Sequence, residues 1–128
     1  MVAALIFRGD HLLIAQRPTN KHLAGLWEFP GGKLEPGEDW IEGLHRELRE
    51  ELATEVEVVS LFEEITHSYP DKTVHLRFYL CQWLRDEPQP LECAALAWVT
   101  RMQLNQYEFP AADARLLVRL HQAAWPLV

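Results

Sequence analysis

The sequence predicts an α/β fold, and three observations carry that prediction. Segments of strand character open the chain and recur through its middle. Two other stretches repeat their apolar residues at helical spacing, and a glycine-rich loop runs directly into the first of them. At 128 residues the chain is expected to form a single domain, 1–128, with room for a sizeable core. No internal repeat, linker or low-complexity tract interrupts it.

Residues 2–7 and 12–16 flank the turn-forming tetrad Arg8-Gly9-Asp10-His11 and predict a hairpin of two largely buried strands. Arg17 closes the second strand and reads either as a solvated strand end or as a cation facing a site; residues 18–22 are a polar loop. Leu26-Trp27-Glu28-Phe29-Pro30 is short and aromatic. Pro30-Gly31-Gly32 then permits a sharp turn and a close backbone approach to a ligand. A helix is expected from Asp39 to about Leu52, because Asp39 and Glu42 make an Asp-x-x-Glu form of the capping box. Glu42 and Arg46 stand in the favourable i, i+4 order for an ion pair.

Residues 55–63 alternate imperfectly through Val56, Val58 and Leu61, whereas 73–84 place Val74, Leu76, Phe78 and Leu80 on one strand face. His75, Arg77, Tyr79 and Cys81 share the other face, which either lies under a helix or lines a cleft. Tyr69-Pro70-Asp71-Lys72 is a turn signal, so the two strands should pair antiparallel. Residues 85–90 form a loop by composition and 94–99 a short apolar strand. Thr100 caps a brief helical turn. Residues 109–113 lead into a final helix with Leu116, Leu117, Leu120 and Ala124 inward, ended by Trp125-Pro126.

Composition narrows the function classes. The formal charge is −7 and the pI about 5.3, with no run of Lys and Arg, so no nucleic-acid polymer is expected as partner. A small polyanion remains open, because a divalent metal can neutralise both an acidic site and a phosphate. No apolar stretch approaches the ~20 residues that cross a bilayer, and the first residues carry no basic segment with a cleavage site, so no membrane partner is expected. Cys81 and Cys93 lack CxxC spacing, which fits a reducing cytoplasmic location, and a monomer is expected. The six histidines form no HxH or HExxH pair, so structural zinc is not expected.

The acidic helix is the chemically informative stretch. At about 100° per residue, Glu47, Glu50 and Glu51 fall within one arc of about 100°, beside a packing face of Ile41, Leu44, Leu48 and Leu52. Three clustered carboxylates repel by about a few tenths of a kcal/mol per pair in water, so the cluster is easiest to rationalise around a cation. Hard oxygen donors point to Mg²⁺ or Mn²⁺.

The spacing Gly32-x₅-Glu38-x₇-Arg46-Glu47-Leu48-x-Glu50-Glu51-x-Ala53-Thr54 closely resembles the Nudix box, which has Gly where this chain has Ala53 and an aliphatic residue where it has Thr54. If position 53 needs φ > 0, Ala costs roughly 1 kcal/mol relative to Gly. The resemblance is closest to the MutT-type subgroup. It extends through Leu26-Trp27-Glu28-Phe29-Pro30-Gly31-Gly32-Lys33 before the helix, and through Tyr69-Pro70-Asp71, Glu92, Trp98 and Phe109-Pro110-Ala111 after it.

That resemblance implies a Nudix fold, a mixed β-sheet sandwiched between α-helices. It also implies Mg²⁺-dependent hydrolysis of a small-molecule nucleoside triphosphate to monophosphate and pyrophosphate, with Mn²⁺ as a substitute metal. An oxidised purine nucleotide such as 8-oxo-dGTP is the first expected substrate, CTP or a modified dCTP the alternative, and a non-catalytic nucleotide-binding module the reading of another class. The implied metal ligands are Glu47, Glu50, Glu51, the Gly31 carbonyl and Glu92. Glu47 or Glu92 would collect the water proton, Glu47 by preference. Arg46 belongs with this catalytic set and, like Glu38, would orient helix and loop. Arg17 and Lys33 resemble phosphate contacts. Glu28, Phe29, Leu76, Phe78, Asp113 and also Tyr69 fall at the base-binding side, although aromatic residues at strand spacing read equally well as core. Asp113 stands where some MutT-type enzymes that recognise oxidised guanine carry Asn; its structural alternative is a helix cap.

Overall fold

Strand β1 (Val2–Arg8) is apolar on both faces because both faces are covered. Ala3, Leu5 and Phe7 join one core cluster with Leu116 and Leu120, whereas Val2, Ala4 and Ile6 join another with Leu44, Leu48 and Leu52. In the computed structural model, which describes residues 1–68 and 70–128, one sheet therefore lies between two helices, α1 (Trp40–Leu52) and α2 (Ala114–Gln122). Tyr69, in the expected turn and base pocket, lies outside the described residues.

The seven-stranded sheet runs β3-β2-β1-β6-β5, with β4 added to β1 and β7 to β2. Its members after β1 are β2 (His11–Gln16), β3 (Trp27–Glu28), β4 (Gly31–Gly32), β5 (Glu55–Ser68), β6 (Thr73–Arg85) and β7 (Ala95–Val99). β1 and β6 are parallel and the other pairs antiparallel, so the expected mixed sheet between helices is borne out. Gly9 turns the β1–β2 hairpin at φ +62°, a left-handed value that suits a two-residue loop. That hairpin pairs only at Phe7–Leu12 and Arg8–His11. Beyond those pairs the strands part: β3 takes the edge of β2 at Ala15–Gln16, and β4 takes the edge of β1 at Val2–Ala3. Residues 27–32 thus cross the open end of a fork.

Several expectations need correction. Gly31-Gly32 is a short strand rather than a sharp turn, and glycine is needed for close approach: a Cβ on Gly31 would fall on the Val2 carbonyl oxygen. β5 continues to Ser68, and its ladder with β6 slips between Val58 and Ser60 and again between Leu61 and Glu63. Each slip moves the following side chains to the opposite face, which is why the alternation read from sequence was imperfect. The second face of β6 lies under α1, with Tyr79 and Cys81 in that core. Ile41 is 44% exposed rather than packed, because Trp40 takes the contact with the sheet through Arg77 and His75. α2 ends at Gln122, leaving Ala124 exposed beyond it.

Helix α1 starts as expected, with the Asp39 carboxylate accepting from the Glu42 N–H at 2.8 Å. It ends at Ala53, which takes the left-handed conformation (φ 51°, ψ 39°) while exposed. Ala53→Gly is therefore expected to stabilise the chain by about 1 kcal/mol, because no packing is lost and the Cβ conflict is removed. Urea unfolding checks this; an unchanged or lower midpoint would contradict it.

Candidate active site

The fork between β1 and β2 opens as a cleft of about 320 Å³. One wall is the start of β1 (Val2, Ala3) with Gly31 and Gly32. The other brings Arg17 from the end of β2 and Glu28 from β3, and Phe29, Leu76, Phe78, Pro110, Ala112 and Asp113 close the apolar end. A smaller, more polar cleft of about 100 Å³ adjoins it. Glu51, Glu92, Lys21 and Cys93 line this second cleft, and Arg17 and Glu28 line both. An apolar chamber and an acidic chamber share one Arg–Glu pair, whose Nη1–Oε2 distance is 2.6 Å.

Helix α1 supplies the acidic side. Glu47 packs its carboxylate over Gly32, where a Cβ would come within 2.5 Å of it. Glu51 lies within hydrogen-bonding reach of Glu47, and burial first, then the charges of Glu47, Glu28 and Glu92, push its carboxyl well above the usual range. Such a group holds a proton unless a cation takes the proton's place. Glu50 is more exposed and is held by Arg46 at 3.1 Å.

Arg46 organises this edge. It donates to both oxygens of Glu38 (2.6 and 2.9 Å), to Glu47 (3.1 Å) and to the Lys33 carbonyl (2.9 Å). The guanidinium holds the Glu38 carboxyl below its ordinary range. The expected Glu42–Arg46 pair is replaced by Glu38–Arg46, since a bidentate partner from the loop outcompetes a single contact along the helix surface. Among the described residues no three acidic, histidine or cysteine side chains converge on one point. The donor set still fits a hard dication: the adjoining carboxyls of Glu47 and Glu51, a glycine-lined cradle against Glu47, and Glu92 across the cleft, with water completing the shell.

A NUDIX domain model matches residues 2–119. The chain belongs to the Nudix hydrolase family. It is 38% identical over 117 residues to a CTP pyrophosphohydrolase of Escherichia coli K12, covering 91% of this chain and 87% of that protein. It is 33% identical over 121 residues to the 8-oxo-dGTP diphosphatase of the same organism, covering 93% and 94%. The solution structure of the E. coli ORF135 protein superposes with a TM-score of 0.82 at 37% identity, covering 99% of this chain and 92% of that one. A MutT NUDIX hydrolase from Burkholderia pseudomallei superposes at 0.79 with 27% identity, covering 96% and 95%.

In this Nudix hydrolase the residues singled out from sequence fall into separate positions. Glu47 and Glu51 adjoin, and Glu51, Glu92, Glu28 and Arg17 line the acidic cleft. Phe29, Leu76, Phe78 and Asp113 line the apolar one, although Phe29 (6% exposed) and Phe78 (2%) also belong to the core. Phe29 stacks on Phe109 at 5.2 Å, so one of its faces is already taken. Lys33 is exposed and lines neither cleft. Asp113 precedes α2 but makes no cap hydrogen bond; burial first, and then the Glu28 charge, raise its pKa to about 6. Lys21, Cys93, Pro110 and Ala112 line the clefts without having been expected at the site. Lys21 is a lone cation in a polar loop, and its local sequence held no signal of this position. No helix among the described residues is long and apolar enough to cross a membrane.

Proposed function

We propose that residues 1–128 form one catalytic unit that hydrolyses nucleoside triphosphates to monophosphate and pyrophosphate, with 8-oxo-dGTP as the favoured substrate. The carrying observation is the pair of adjoining chambers, acidic and apolar, joined through Arg17 and Glu28. A metal-bound triphosphate fits the first and a base the second. Glu47, Glu51 and Glu92 would hold Mg²⁺ or Mn²⁺, with Glu50 and the Gly31 carbonyl as further donors. When bound, that ion lowers the pKa of a coordinated water and offsets phosphate charge. The water oxygen bonds to phosphorus as the bridging P–O bond between the α- and β-phosphates breaks, and Glu47 accepts the water proton. Glu92 is the alternative acceptor. Arg17 and Lys21 face the phosphates with positive charge, whereas Arg46 holds Glu38, Glu47 and the Lys33 carbonyl in place.

Asp113 bears on the choice of base. Protonated, it presents one donor and one acceptor, which suits O6 and the N7–H found on 8-oxoguanine. Ionised, it only accepts, which suits the amino group of cytosine, and this favours CTP or a modified dCTP as a second reading. With the pKa near 6, the proton is largely lost above that pH. Asp113→Asn keeps a donor at every pH. It should raise the ratio of kcat/KM for 8-oxo-dGTP over CTP about tenfold at about pH 8, a gain that fades below pH 6. Pyrophosphate release with Mg²⁺ across 8-oxo-dGTP, dGTP, CTP, 5-methyl-dCTP and dATP tests both points. Binding without turnover would instead identify a nucleotide-binding module, and an unchanged ratio in the variant would remove Asp113 from the base site.

A further inference from the structure

The end of α1 and the loop that carries Glu92 are joined by a seam of hydrogen bonds. The last carbonyls of a helix have no partner within it. Here the Gln89 N–H donates to Leu52 O at 2.9 Å and the Leu91 N–H to Glu51 O at 3.2 Å. Pro88 and Pro90 alternate with those donors; they have no N–H to leave unmatched, and they restrict φ, so the strap is stiff. Its upstream anchor is a side chain. Thr54, 2% exposed, donates its hydroxyl to Asp86 O at 2.6 Å and accepts the Trp83 indole N–H at 3.1 Å. Asp86 sits in the left-handed region at φ 65°, a corner that most non-glycine residues avoid. The Thr54 hydroxyl and the Trp83 indole, the latter at 3.3 Å, both grip its carbonyl. An aliphatic residue, which the Nudix box has here, cannot make the first of these bonds. Downstream, the Ala94 N–H donates to Gln16 O at 2.9 Å, so Glu92 is carried between two fixed points beside Glu51.

We propose that Thr54 is a positioning residue for Glu92: its hydroxyl fixes the corner at Asp86, sets the register of the strap on the end of α1, and so holds the Glu92 carboxylate opposite Glu51. This rests on the reading of Glu51 and Glu92 as cation-facing carboxylates. The tilt of the strap, and not only the helix, then determines how far apart the two carboxylates stand.

Mn²⁺ binding to the full chain, read by electron paramagnetic resonance of the free ion, tests it in the wild type, Thr54→Val, Thr54→Ser and Glu92→Gln. Hydrogen exchange at the Gln89 and Leu91 amides is followed in parallel. Thr54→Val is expected to weaken Mn²⁺ binding about tenfold, the range in which residues supporting metal ligands act, and to speed exchange at both amides. The Mg²⁺ concentration for half-maximal pyrophosphate release should rise by the same factor while KM for the triphosphate stays within about twofold. Thr54→Ser, which keeps the hydroxyl, should restore both. If the valine variant does not fold, Thr54→Ala removes the same hydroxyl and gives the same reading. Faster exchange with wild-type Mn²⁺ affinity overturns the positioning role, as does weaker binding without faster exchange. Wild-type affinity in Glu92→Gln overturns the cation reading of that residue and the proposal with it, so the variant that stays silent identifies which of the two has failed.

Discussion

Glu47→Gln is expected to lower kcat by about 10²–10⁴, the range attributed to a positioned general base. The substitution preserves shape, and the Arg46 Nη1–H that lies 3.1 Å from Glu47 Oε1 still finds an oxygen. Thermal unfolding should therefore stay close to wild type while turnover collapses. Glu51, whose carboxyl is pushed up partly by the charge of Glu47, should ionise more readily in the variant, which offsets part of the metal affinity lost with the Glu47 donor. Activity titrated with Mg²⁺ separates the two effects: the Mg²⁺ concentration for half-saturation should rise with the lost donor, whereas the fall in rate that persists at saturating Mg²⁺ reports the lost base. A variant that keeps its full rate would transfer the proton-accepting role to Glu92, and Glu92→Gln then becomes the informative measurement.

Gly31→Ala is expected to cost about 3 kcal/mol of stability, at the upper end of ordinary overpacking, because the obstacle is backbone and not a side chain that can swing away. The new methyl would meet the Val2 carbonyl and the Ala3 Cα, forcing β4 off β1. The cleft wall at Val2, Ala3 and Gly31 would move with it, so pyrophosphate release should fall together with the urea midpoint. Gly32→Ala provides the contrast. Its methyl would first meet the Glu47 carboxylate, which can rotate, so activity should fall with most of the stability kept. Equal destabilisation by both substitutions would show that β4 does not depend on close approach at Gly31.

The sequence revealed features governed by local chemistry and hid those set by distant neighbours. The hairpin, the Asp39 cap and the extent of α1 follow from rules spanning a few residues, and they match. The strain at Ala53 was also visible, because the residue expected there is one that tolerates φ > 0. Gly31-Gly32 could not be read as a strand, since glycine disfavours strands and only the approach of Val2 and Ala3 makes one here. Glu38 escaped notice as the partner of Arg46 because it lies outside the helix, beyond the reach of an i, i+4 rule. In the candidate site, the carboxylate spacing was legible as pattern, but the placement of Lys21 in one cleft depends on how the loop after β2 folds back, and Lys33 leaves both clefts just beyond β4.

The crosspiece at residues 27–32 gives the fork a further property. Trp27–Glu28 is bound to one prong and Gly31–Gly32 to the other, with only Phe29-Pro30 between them. A chain spans at most about 3.3–3.6 Å per residue, so the gap has a covalent ceiling that packing alone would not impose. The mouth of the cleft is gauged by a fixed length of backbone, and proline removes part of what slack remains. Thinning the core beneath would loosen the walls without letting the prongs drift apart, so the aperture belongs to the chain's connectivity more than to its hydrophobic interior.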